Sequence, residues 1–258
     1  CGRVSHAANK AAGAVTVAPS AIRAAGAMFT DGEGLQPFDE PRALTAGEVG
    51  TVINEYRRFA TLAMEAGFDG VELHGTSGYL PAQFLCTGTN RRTDRYGGSV
   101  EGRIRFPVEV LEAIVDEIDA ARTGLRICPG NPFNDLVDDR PEDVEETFRA
   151  FLTAIRPLGL AWLHVIRRHE ANQGIYLDNL ALARDLHDGA LIANDSYDGP
   201  EAATAVAEEV CDAVSFGRHF LATTDLPARF ADGRNPERFD PRTLYTPGPL
   251  GYTELSGC

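Results

Sequence analysis

Five short apolar runs, each led in by an amphipathic segment and each ending on a polar side chain, constrain this chain most. The runs are FDGVELHG, TGLRICPG, LAWLHVI, GALIAND and CDAVSFGR. The first helix follows PRALTAGEVG. Thr45 is its N-cap, Glu48 completes a capping box, and Gly67 supplies the stop. Val49, Val52, Ile53, Tyr56, Phe59, Ala60 and Ala63 recur along it at helical spacing. Four more helical segments separate the later runs: VEVLEAIVDEI, PEDVEETFRAFLTAI with Pro141 in its first turn, NLALARDLH and PEAATAVAEEV. Short apolar strands alternating with helices specify a parallel sheet covered by helices. Two architectures meet that rhythm, an open doubly wound sheet and a (β/α) barrel.

The strand ends favour the barrel. Barrel enzymes gather their chemistry where strands exit at the C-terminal face. The five exits carry His74, Arg126, His164, Asn194 and the pair Gly217–Arg218. No G-x-G-x-x-G follows any strand and no P-loop is present, which disfavours a dinucleotide-binding open sheet. The stretch VELHGTSGYL puts two titratable groups, His74 and Tyr79, on one tight corner. At the last two exits, IANDSYD and FGRHF, Gly217 allows close backbone approach. Arg218 either offers its planar fork to a phosphate or pairs with an acidic neighbour such as Asp225.

Net charge −14 in 258 residues opposes non-specific binding to nucleic acid or an anionic membrane. No run approaches the ~20 apolar residues of a membrane span. The cysteines (Cys1, Cys86, Cys128, Cys211, Cys258) are odd in number, widely spaced and lack a C-x-x-C. That disfavours zinc or a disulfide framework and suits a reducing cytoplasm. Cys128 and Cys211 read as small buried hydrophobes. Lys10 is the one lysine and lies in the Ala7–Pro41 stretch, read as a long loop, so a Schiff-base aldolase is disfavoured.

The block EAGFDGVELHGTSGYLPAQFL followed by NRRTDRYGGSVEGRIRF resembles the signature of the Old Yellow Enzyme family of FMN-dependent ene-reductases. GRVSH, APSAI, PRALT, LRICP, IAND, FGR and GYTEL follow the family's order over nearly the whole chain. The resemblance implies a (β/α)8 barrel of TIM type. It implies FMN at the C-terminal face, reduction by NADPH or NADH, and hydride transfer to an electrophilic alkene, an α,β-unsaturated carbonyl or nitro compound. It makes Tyr79 the proton donor and His74 a donor to the substrate oxygen. Ser77 and Tyr245 join His74 in holding substrate. Arg126 lies at the flavin's pyrimidine edge. Asn194, Asp195, Ser196, Gly217 and Arg218 hold the phosphate.

The chain also departs from the family. Ser77 stands where Asn or His is usual, and Asp195 and Ser196 where the phosphate loop carries glycines. His219 replaces a common proline, and Thr223–Thr224 an Asn-Pro pair. In the family, GRVSH follows the third strand. Residues 1–258 are therefore expected to form one barrel domain truncated at its N-terminus, with about five strands, the family's fourth to eighth. The alternative to an active flavoenzyme is a degenerate barrel that no longer binds flavin.

Overall fold

The computed structural model describes residues 1–30, 32–167, 177–238, 240 and 249. The chain divides into two compact units, Cys1–Leu191 and Ile192–Cys258.

The first unit opens with four short strands: β1 (Val17–Ala18), β2 (Ala27–Thr30), β3 (Gly34–Pro37) and β4 (Arg42–Ala43). β1 pairs with β4 in parallel, and β2 with β3 as an antiparallel hairpin. The sequence reading of this stretch as loop missed them. Phe29 and Leu35 are exposed on the hairpin, which buries no continuous face, so the sequence carries no alternation to detect. Asp39 fastens the segment by accepting from Lys10 Nζ (3.0 Å) and Thr16 Oγ1 (2.6 Å).

Helix α1 (Ala46–Glu65) starts at the expected capping box. Thr45 Oγ1 accepts from the Glu48 N–H (3.2 Å), and the Glu48 carboxylate accepts from the Thr45 N–H (2.8 Å). It ends at Gly67, whose φ of +90° closes the last turn onto Met64. Val49 and Ala60 are buried, whereas Phe59 is 65% exposed. Neighbouring residues point about 100° apart around a helix, which puts Phe59 outside the buried stripe.

Strands β5 (Val71–Gly75), β6 (Thr123–Ile127) and β7 (Trp162–Ile166) pair in parallel and in chain order. Between them run α2 (Leu80–Leu85), α3 (Val100–Ile118) and α4 (Pro141–Ile155). All six residues of α2 are buried. Sequence reading missed α2 and the first half of α3, where Pro81, Gly102 and Pro107 mask the helical pattern. The strand registers set two faces. Leu73, Leu125 and Leu163 align on the face buried beneath the helices. The opposite face carries two layers, Glu72–Gly124–Trp162 and, nearer the strand exits, His74–Arg126–His164. Cys128 is buried just beyond β6. Helix α5 (Asn179–Leu186) leads into β8 (Ala190–Asn194), and the unit boundary falls within that strand.

The second unit pairs β8 with β9 (Ala213–Ser215) in parallel, Asn194 opposite Ser215. Helix α6 (Gly199–Ala207) connects them and starts where the Asp198 side chain accepts from the Glu201 N–H. Cys211, just before β9, is buried as expected. Two short helices, α7 (Arg218–Ala222) and α8 (Leu226–Ala231), follow. Among the described residues no helix is long and apolar enough to cross a membrane.

Candidate functional site

The corner after β5 is a tight turn with an unusual backbone. Ser77 (φ 57°) and Gly78 (φ 75°) both have positive φ, and the Tyr79 N–H closes the turn on the Thr76 carbonyl. Two consecutive positive φ values are what a type I′ turn demands. Gly78 is required twice over, because a β-carbon there would sit 2.8 Å from Asn134 Cβ and 2.9 Å from the Phe133 carbonyl. Ser77 adopts the left-handed region less readily than Asn does, so this turn keeps its shape against the preference of one central residue.

External hydrogen bonds hold it. Asn134 Nδ2 donates to the Ser77 carbonyl (2.8 Å), and the buried Gln83 donates to the Gly78 carbonyl (2.7 Å). Asn134 belongs to the connection between β6 and α4, residues 128–140, which is itself anchored in three further places. Its Asp135 carboxylate pairs with the buried Arg3 guanidinium (3.4 Å). Asp138 accepts from the Thr87 N–H (2.8 Å) and hydroxyl (3.1 Å), and Asp139 pairs with Arg91.

The turn delivers Tyr79 to the start of α2 and toward His74. Their ring centroids lie 5.1 Å apart with planes inclined by 45°. Tyr79 also packs against the cluster of Val4, Ala24 and Phe38. His74 stands beside Arg126 in the sheet register, and Arg126 beside His164. Partial burial, and then the positive charge of Arg126, hold the His74 pKa below the usual imidazole value, so His74 is neutral at pH 7.

Sequence reasoning missed the layer beneath. The Trp162 indole N–H donates to Glu72 (2.7 Å), and His164 Nδ1 lies 3.2 Å from each Glu72 oxygen. The indole reaches Glu72 by lying across Gly124, where a β-carbon would overlap the ring. Burial raises the Glu72 carboxyl, but the hydrogen bonds from His164 and Trp162 outweigh it and hold the pKa below the ordinary range. The period-two spacing from His74 back to Glu72 was the available signal.

In the second unit, Asn194 donates to the Ser215 hydroxyl (2.8 Å) and carbonyl (3.1 Å), locking β8 to β9. Asp195 (φ 83°) and Ser196 (φ 56°) follow in the left-handed region. Arg218 pairs with Asp195 at 3.7 Å, rather than with the Asp225 considered from sequence. Asp225 instead pairs with Arg229 (2.7 Å) and Arg234 (3.7 Å). Gly217 has φ −99°, and a β-carbon there would meet nothing within 4 Å. Neither backbone nor packing requires glycine at 217, so its missing side chain leaves free space beside the Arg218 backbone. Tyr245 lies outside the described residues.

These features test the fit of a flavin mononucleotide. In the first unit Arg126 supplies a cation at the strand exits; in the second, taken by itself, Gly217 and Arg218 offer open space and a cation that suit a phosphate. The Asp195 carboxylate beside Arg218 opposes a phosphate there.

Comparison with known proteins identifies the family. The model of the NADH:flavin oxidoreductase / NADH oxidase family matches residues 2–237. The chain is 40% identical over 258 residues to a Leishmania infantum protein named probable flavin mononucleotide-dependent alkene reductase, covering 98% of this chain and 69% of that protein. It is 39% identical over 221 residues to 12-oxophytodienoate reductase 1 of Oryza sativa subsp. japonica, covering 84% of this chain and 58% of that protein. Among solved structures, morphinone reductase in complex with tetrahydroNAD superposes with a TM-score of 0.88 at 39% identity, over 98% of this chain and 69% of that one. The chain thus spans between 58% and 69% of the length of these relatives. The expected fold class, a TIM-type barrel represented by part of its strands, is borne out.

Proposed function

Because the chain belongs to the NADH:flavin oxidoreductase / NADH oxidase family, we propose that it carries the substrate corner of an FMN-dependent ene-reductase. Its substrates are the activated C=C bonds of α,β-unsaturated carbonyl or nitro compounds, and NADPH or NADH is the reductant. The observation that carries this reading is the convergence of His74, Tyr79 and Arg126 on one strand-exit corner.

FMN, when bound, would supply the redox chemistry that links oxidation of the nicotinamide to hydride transfer onto the substrate's β-carbon. The protein's own residues handle the charge and the proton. As the β-carbon gains hydride, negative charge develops on the carbonyl or nitro oxygen. A neutral His74 offers that oxygen an N–H, and the Ser77 hydroxyl offers a second, shorter-reaching donor. Donors fixed before the reaction stabilise the transition state more than the ground state. The Tyr79 hydroxyl gives its proton to the α-carbon from the same corner. Arg126 would lend positive charge to the flavin's pyrimidine edge. Gly217 and Arg218, with the backbone of Asn194 to Ser196, would hold the FMN phosphate. Tyr245 remains assigned to the substrate. Among the described residues the cysteines form no disulfide, which suits a cytoplasmic setting.

Stopped-flow measurement tests the reading. After incubation with FMN, bound flavin should be bleached by NADPH and recoloured by 2-cyclohexenone faster than by buffer alone. Bleaching without enone-dependent recolouring would leave a flavin reductase and remove the alkene substrate.

A further inference from the structure

We propose that Asp195 acts as an internal anion on Arg218 and removes the preference for a phosphorylated flavin, so that riboflavin and FMN bind this chain about equally. The inference rests on the flavin reading above and concerns only the second unit. Arg218 is the arginine next to the space left by Gly217, and its guanidinium lies 3.7 Å from the Asp195 carboxylate. The carboxylate is confined. Its backbone is in the left-handed region (φ 83°), its side chain is only 22% exposed, and the Ser196 hydroxyl lies 3.4 Å from its Oδ1. Arg218 is 58% exposed, and an ion pair that wet is weak as a source of stability. Its consequence is competitive. A phosphate monoester brings up to two negative charges and must share the guanidinium with a fixed carboxylate, whereas riboflavin has no such charge to place.

The test is the ratio of riboflavin to FMN dissociation constants, measured by quenching of flavin fluorescence. Contacts to the ring system cancel in that ratio. The parent should give a ratio within about threefold of unity. Asp195→Gly should raise it at least tenfold by tightening FMN alone. Asp195→Asn, which removes the charge and still tolerates positive φ, should recover at least half of that gain on a logarithmic scale. A parent that already prefers FMN tenfold overturns the proposal. So does a gain confined to the glycine variant, which would assign the effect to backbone conformation. If none of the three proteins takes up either flavin, the FMN reading falls and inorganic phosphate decides this one. Backbone amide resonances of Asp195, Ser196 and Arg218 should respond to millimolar phosphate in Asp195→Asn and not in the parent. Equal responses overturn it.

Discussion

His74 and Tyr79 face each other across a turn that neither residue belongs to at its centre, with rings 5.1 Å apart. The imidazole is carried by strand β5 and the phenol by the N-cap residue of α2, so their separation depends on the two positive-φ residues of the turn, Ser77 and Gly78. Removing the Tyr79 hydroxyl should therefore touch chemistry and little else. Tyr79→Phe keeps the ring that packs on Val4, Ala24 and Phe38. Flavin bleaching by NADPH should be unchanged and recolouring by an enone slowed about 100-fold or more, within the usual range for a lost general acid. Equal loss in both half-reactions would refute the proton-donor role.

Gly124 is held small by the indole above it. Gly124→Ala should force Trp162 off Glu72 and destabilise the protein by about 1–3 kcal/mol, as overpacking does. Trp162 is the sole tryptophan, so its emission should shift in the folded state. An unshifted spectrum with unchanged urea midpoint would mean the ring is not where the register puts it.

The lowered His74 pKa predicts a pH dependence of stability. An unfolded histidine takes up its proton near pH 6.5, while folded His74 takes it up only at lower pH. The unfolded chain thus binds more protons in that window, and stability falls as pH drops below about 6.5. Replacing the imidazole by His74→Gln should flatten this part of the curve between pH 7.5 and 5.5, read by urea unfolding. Identical slopes for parent and variant would contradict the depressed pKa.

At the start of α1 the sign is set by a carboxylate. The hydrogen bond from Arg42 first, and those from Thr45 next, hold Glu48 down to about 2. Its contribution is present above the ordinary carboxylate pKa and is lost as pH falls from about 4.5 toward 2. Arg42→Met should move the acid-unfolding midpoint upward. Thr45→Ala, which deletes one half of the capping box, should cost about 1 kcal/mol at neutral pH. A midpoint indifferent to Arg42 would show that the pair is not formed in solution.

Much of the architecture is legible in the residues because parallel strands leave a strong mark. Each of β5 to β9 is an apolar run, and the polar side chain at its exit stands out. The capping box at Thr45 and the stop at Gly67 are similarly local. What escapes is what local pattern does not encode. The β2–β3 hairpin exposes Phe29 and Leu35, so nothing in its spacing points to a buried face. Helix α2 hides behind Pro81, and α3 carries Pro107 inside it. Glu72 reads as filler within a strand until the register sets it beside Trp162 and His164. Asp195 is visible as a departure from a glycine, but its grip on Arg218 arises only once the chain has folded.

The 128–140 connection ties Ser77, Arg3, Thr87 and Arg91 to one stretch of backbone through Asn134, Asp135, Asp138 and Asp139. A single proteolytic nick within it would leave α1 to α8 and β1 to β9 intact, yet loosen three stretches of chain together, those of Arg3, of Ser77 and of Thr87 to Arg91. Circular dichroism would register almost nothing, while the aim of the phenol at the imidazole would be gone.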